Sequence, residues 1–314
     1  MLAYLIRRLG SMLATMLVVG IVVFFVIHSV PGDVTSALLG QDATPQQVAA
    51  MRQRLNLDQP LPAQFVSWFS GVIRGDLGDS IYMRIPVLQA LAQRIEPTAM
   101  LALAATLVAV TLGLGLGVIA AVRHGTLTDY AVMVIAMLGL SVPTFWLGLL
   151  MIMLFAVTLQ WLPAAGYAAL AEGPGKTVRY LVMPAVALGF SQAAIIARMT
   201  RASLLDMLGE DFVRTARSKG LAGRRVVLRH ALRNAMLPVL TVIGLSVATL
   251  AGGVVVTETV FNIPGAGRLV IESVQRRDYP VLQGAVIAVA AVYAFINLLV
   301  DLSYLGLDPR VRYS

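Results

Sequence analysis

Few side chains in this chain of 314 residues could do chemistry, and their spacing argues against catalysis. The three histidines, His28, His124 and His230, stand too far apart in sequence to suggest a metal-ligand set. Cysteine is absent, so no thiolate or disulfide is available. No HExxH, Walker lysine loop or GxSxG occurs. Ser141 stands beside Pro143 in an apolar run, but no histidine lies in a neighbouring run to activate it. If ATP is used, another chain must bind it.

The residues left for chemistry are polar groups inside apolar runs. Tyr293, Asn297 and Asp301 recur at i, i+4 and i+8 and so share one helix face. An ionisable group at membrane depth is a functional candidate by default. Asp301 is expected near the cytoplasmic end of its run, where a hydrogen-bonded structural role competes with a transport role. Glu258 closes another run and either faces a polar cavity or sits in interfacial water. Pro143, Phe145 and Trp146 either unwind their run and expose backbone to a passage, or form a proline kink packed by aromatics. Pro143, Phe145, Trp146, Glu258, Asn297 and Asp301 are thus the candidates for lining a translocation path.

A second kind of chemistry is recognition. From Arg198 to Arg233 the chain carries nine Lys/Arg against three Asp/Glu. Glu210 and Asp211 suit the positive end of a short helix. Arg217 and Lys219 suit its negative end, and Gly220 supplies a C′ stop. This reads as a compact capped helix at the cytoplasmic surface; the alternative is an ordinary positive cytoplasmic loop. Arg225, Arg229 and Arg233 recur every four residues, a stripe suited to anionic headgroups at about 1 kcal/mol per charge.

The elements that must position these groups follow from composition. The chain is 58% hydrophobic and 13% charged, with a mean hydropathy of +0.82, which excludes the soluble globular class. Its net charge of +8 does not point to nucleic acid, because the basic residues flank apolar runs and encode membrane orientation. Six runs approach the ~20 residues needed to cross a bilayer: 9–30, 100–122, 130–159 (interrupted at Ser141-Val-Pro143), 180–196, 236–256 and 281–299. Arg7 and Arg8 precede the first, and no small-x-small cleavage site follows it, so it reads as a span rather than a signal peptide.

The expected architecture is an all-α polytopic membrane protein with six crossings and both termini cytoplasmic. Its expected divisions are 1–30, an external helical cap at 31–96, and a core at 97–314 carrying the cytoplasmic loop 198–235. Within the cap, Thr44-Pro45-Gln46-Gln47 has the form of a capping box, and 64–73 reads as a second short helix before a turn at Gly75-Asp-Leu-Gly78. Gly113, Gly115 and Gly117, and Gly252-Gly253, read as close-packing positions between spans.

The motifs resemble a known family. Arg214-Thr-Ala-Arg-Ser-Lys-Gly220 with His230-Ala-Leu-Arg-Asn-Ala-Met-Leu-Pro238 is similar to the cytoplasmic EAA loop of the peptide branch of bacterial ABC importer permeases. So, in order, are Pro31-Gly-Asp33, Leu57-Asp-Gln-Pro60, Arg74-Gly-Asp-Leu-Gly78, Phe145-Trp-Leu-Gly148 and Trp161-Leu-Pro-Ala-Ala-Gly166. Thr257-Glu-Thr-Val-Phe261, Pro264-Gly-Ala-Gly267, Arg277-Asp-Tyr-Pro280 and Leu307-Asp-Pro-Arg310 complete the match. Arg214-Thr-Ala216 replaces the general Glu-Ala-Ala, and the Gly220–Pro238 spacing is long; both are typical of the peptide branch. Val34 departs from the proline usual after Pro-Gly-Asp.

The resemblance implies a type I ABC importer permease in the bacterial inner membrane, the first permease of its pair, for dipeptides, oligopeptides, glutathione or nickel chelates. It implies no cofactor bound by this chain, with ATP and Mg held by partners. The implied partners are a second homologous permease, two ATPase subunits or domains, an external substrate-binding protein and membrane lipid, with no nucleic acid. It implies that Asp211, Phe212, Val213, Arg214, Thr215, Ala216, Arg217, Ser218, Lys219 and Gly220 form the coupling helix. There, Phe212 and Ala216 would supply the apolar contact to an ATPase groove. The competing reading is an ion- or proton-coupled secondary transporter using Asp301 or Glu258; a membrane-embedded enzyme is more distant.

Overall fold

The computed structural model describes residues 2–29, 44–54 and 58–307, without the side chains of 2–6, 51, 54, 251–253 and 300–307. Pro31-Gly-Asp33, Val34, Leu57 and the tail motif beyond Leu307 lie outside the described residues. Among those described there is no strand, only an isolated bridge between Asp79 and Pro86. The helices are α1 (Leu2–Ser29), α2 (Pro45–Arg54), α3 (Leu61–Ile73), α4 (Val87–Val122), α5 (Leu127–Ser141) and α6 (Thr144–Met151). They continue with α7 (Pro174–Gly209), α8 (Asp211–Ser218), α9 (Leu232–Val260), α10 (Ala266–Gln275) and α11 (Tyr279–Leu307). Among the described residues, five helices are long and apolar enough to cross a membrane, and α5 with the helix after it makes a sixth if the bent pair is one span.

Contacts divide the chain into two units: residues 1–96 with 265–294, and residues 97–264 with 295–314. In the first, the capping box forms. The Thr44 N–H donates to Gln47 Oε1 at 2.9 Å, and the Gln47 N–H donates to Thr44 Oγ1 at 3.3 Å. α3 starts at Leu61 rather than Gln64, because Pro62 at the start of a helix forfeits no intrahelical bond. Its Phe65 and Trp68 rings meet Phe24 of α1 at centroid distances of 5.2 and 5.4 Å. The turn after it uses left-handed glycines, Gly75 and Gly78, at φ +80° and +79°.

Asp278 closes the following loop: it accepts from Ser80 Oγ, and from the N–H groups of Ile81 and Tyr82 at 3.2 Å each. The Arg276 guanidinium lies 3.8 Å from the Tyr82 ring centroid. These contacts give the Arg277-Asp-Tyr-Pro280 motif a physical reason. Its carboxylate satisfies loop donors beside a core of Val87, Leu91, Leu269, Val281 and Ala285.

The second unit is built on α7, the most buried of the candidate spans. α4 and α7 each hold 36 residues, or about 54 Å at 1.5 Å per residue, against roughly 30 Å of hydrocarbon. Both therefore continue well past the apolar runs that marked them. α7 runs on to Gly209 rather than ending near 196, so Arg198 and Arg201 are helical rather than part of a loop. α4 approaches α7 through Gly113 and Gly117. An added Cβ would stand 2.6 Å from Ile196 Cβ and 2.6 Å from Thr200 Cβ respectively. Gly115 meets nothing within 4 Å, so it is not part of that seam. Gly252 and Gly253 fall outside the residues whose surroundings are described.

Candidate functional site

The site begins where α7 ends. The chain turns at Glu210, in extended conformation, and restarts at once as α8. Val213 and Ala216 face inward, into a cluster with Ala121, Leu204, Val226, Ala231 and Ala235. At about 100° per residue, the face opposite that pair carries Asp211, Arg214, Thr215 and Ser218, all exposed. This corrects the expected apolar contact. Ala216 is 7% exposed and belongs to the chain's own core, while Phe212, 37% exposed, sits at the edge of the buried face. Residues spaced i, i+4 share a side of the helix, but the core covers only part of that side, and Phe212 falls beyond its boundary. The outward surface is polar, with one aromatic at its margin.

The end of α8 is a Schellman motif. The Gly220 N–H donates to Arg217 O at 2.9 Å and the Leu221 N–H to Ala216 O at 3.3 Å, with Gly220 at φ +76°. Leu221 packs on the same cluster. The Arg214–Asp211 pair, 3.3 Å apart, is exposed and contributes little. Beyond it, one turn (Gly223–Arg225) enters a π-helical stretch (Val226–Ala231) before α9. That stretch interrupts the 3.6-residue period. Arg225, Arg229 and Arg233 all remain exposed.

An ion pair to a buried carboxylate braces α7 just before α8. Arg201 donates to both Asp129 oxygens, from Nε at 2.6 Å and from Nη2 at 2.8 Å, in the bidentate geometry suited to a carboxylate. The Gly125 N–H adds a bond at 3.0 Å, and His124 Nδ1 stands 3.1 Å from the same carboxylate. Asp129 lies in the first turn of α5, so the pair ties the start of that helix to α7. Sequence reading missed it, since the partners are 72 residues apart and no local signal joins them.

The remaining candidates separate. Val142 and Pro143 are extended, and the helices on either side meet at 104°, so the run is broken there rather than merely kinked. Phe145 and Trp146 are exposed on α6. Glu258, expected in a polar cavity or interfacial water, is 0% exposed and accepts from Thr98 Oγ1. As a carboxylate in the core it needs such hydrogen bonds to remain. Asn297 is half-buried on α11, and the Asp301 side chain lies outside the described residues.

Near Glu258, three motifs converge on Phe261. A Cβ on Gly148 would meet its ring at 3.0 Å, and the Gly166 N–H donates to its carbonyl at 2.8 Å. Gly166 itself is at φ +102°, where a side chain would be strained.

Residues 113–313 match the family described as binding-protein-dependent transport system inner membrane component, and residues 1–88 match its N-terminal counterpart. A probable peptide ABC transporter permease, y4tP of Sinorhizobium fredii, is 46% identical over 99% of each chain. The glutathione transport system permease GsiC of Escherichia coli K12 is 42% identical over 100% of each. Among solved structures, the inward-facing methionine ABC transporter MetNI superposes with a TM-score of 0.56. It covers 70% of this chain and 97% of its own, at 18% identity, a likeness of fold.

Proposed function

The chain belongs to the family of binding-protein-dependent transport system inner membrane components, and from that premise we propose that it is a peptide-importing ABC permease in which α8 is the coupling helix. Its cargo would be small peptides or a glutathione-like molecule, as the names of its relatives suggest. It would form the passage with a second permease, receive cargo from an external binding protein, and be driven by two ATPase subunits that hold ATP and Mg. Both termini would be cytoplasmic, which places α8 on the side of the ATPases.

The observation that carries this reading is the construction of α8. It is a separate capped helix, anchored inward by Val213 and Ala216 and open outward along Asp211, Arg214, Thr215 and Ser218. A push on that surface would be delivered to α7 through Glu210 without an intervening flexible loop. α7 would move as a body, because it is packed on α4 at Gly113 and Gly117 and pinned to α5 by Asp129–Arg201. ATP-driven approach of the ATPases would thereby reorient the passage.

The test is uptake by proteoliposomes holding the chain with its partners. ATP-dependent uptake that survives collapse of the ion gradients is expected. Uptake that persists without ATP and vanishes with the gradient would establish the ion-coupled alternative instead.

A further inference from the structure

The same end of the second unit holds a groove of about 570 Å³, lined on one wall by the last turns of α4 and on the other by residues 223–228. Its walls are Ile119, Val122 and Leu228, all roughly half-exposed, and its mouth carries Arg123, Arg224 and Thr128. We infer that this groove binds one anionic phospholipid of the cytoplasmic leaflet. The phosphate would lie on Arg123 and Arg224, and an acyl chain along the apolar walls.

Three observations lead there. The arginines come from different elements yet line one cavity, and among the described residues neither makes an ion pair. Asp129, which directly follows Thr128, is taken by Arg201 and does not compensate them. The apolar walls are exposed where the α4 span ends, which suits an acyl chain and would expose hydrocarbon to water if a soluble ion were the ligand. Basic pockets at the cytoplasmic ends of spans recognise anionic headgroups in this way. Arg225 and Arg229, though close in sequence, do not line the groove.

This rests on the topology proposed above. It is tested on the intact detergent-purified complex, with lipids counted by native mass spectrometry during titration with phosphatidylglycerol or phosphatidylcholine. One phosphatidylglycerol per chain should be retained and phosphatidylcholine should not. Arg123→Gln with Arg224→Gln should weaken retention about 30-fold, or about 2 kcal/mol for two headgroup charges. Arg225→Gln with Arg229→Gln, the same charge loss outside the groove, should leave it near wild type. Millimolar inorganic phosphate should not displace the lipid.

Equal retention by the groove variant, or no preference over phosphatidylcholine, would overturn the assignment. Displacement by phosphate would make this a free-anion site. Release of the ATPase subunits by the groove variant, with lipid retention unchanged, would make it a protein contact. Lipid counting needs neither ATP nor cargo, so its failure is distinguishable from failure of the transport reading.

Discussion

Gly117→Ala adds one carbon at a close approach in the seam between α4 and α7. The new Cβ would stand 2.6 Å from Thr200 Cβ and 2.7 Å from Ala197 O. The second contact is a helix backbone carbonyl, which cannot rotate away as a side chain can. The helices must therefore separate, and overpacking of this kind costs about 1–3 kcal/mol. Gly113→Ala meets Ile196 Cβ at 2.6 Å and Ala193 O at 3.0 Å, so it should cost a similar amount. The double variant should cost less than the sum, since one separation relieves both contacts.

Gly115→Ala is the control, with nothing within 4 Å. There the sign should reverse, with a gain of about 0.5–1 kcal/mol from helix propensity. The assay is unfolding of the purified protein in mixed micelles, read as the shift of the midpoint for each variant. A neutral Gly117→Ala, or a Gly115→Ala as damaging as the other two, would refute the glycine seam as the contact that makes α7 move with α4.

Arg201→Gln should destabilise the protein by at least as much as Gly117→Ala in the same assay, because Asp129 is left buried without its bidentate partner. Adding Asp129→Asn should recover part of the loss, and strict additivity of the two would show that the pair is not coupled. Ala216→Asp places a carboxylate in a closed apolar cluster and should cost more than about 2 kcal/mol, lowering the amount of chain in the membrane on immunoblots. Phe212→Asp should leave that amount unchanged while reducing co-purification of the ATPase subunits; equal effects on both would contradict the two-sided reading of α8. Gly220→Val forces a β-branched residue to a left-handed φ, at about 1–2 kcal/mol, and should impair uptake at normal expression. Gly220→Asn should approach wild type in that uptake assay, since asparagine tolerates that conformation.

The apolar runs were legible because a bilayer demands about 20 apolar residues from each crossing, and the break at Pro143 was legible because proline removes a donor and clashes with the preceding turn. The capping box at Thr44 and the stop at Gly220 were legible for a similar reason: both are local backbone devices with fixed offsets. Helix ends were not. α4 begins at Val87 and α7 continues to Gly209, beyond the apolar stretches that hydropathy detects, where packing rather than composition sustains the helix.

The orientation of Ala216 was illegible because spacing defines a face but not how much of it a core will cover. Glu258 was misjudged because its position at the end of a run suggested water, and only the fold shows Thr98 against it. Asp129 and Arg201 meet through tertiary structure alone. The π-helical stretch at 226–231 has no counterpart in a periodicity count.

The central claim, that the outer face of α8 meets an ATPase subunit, is tested most directly by cross-linking. The chain has no cysteine of its own, so single cysteines at Arg214 and Ser218, on the exposed side of α8, report without background. Paired with cysteines scanned across the ATPase surface in native membranes, both should form cross-links whose yield changes between nucleotide-free and ATP-trapped states. A cysteine at Val213, on the buried side, should form none. Absence of any cross-link from Arg214 or Ser218 in an assembled, transporting complex, or labelling of those positions only from outside the cell, would contradict the account.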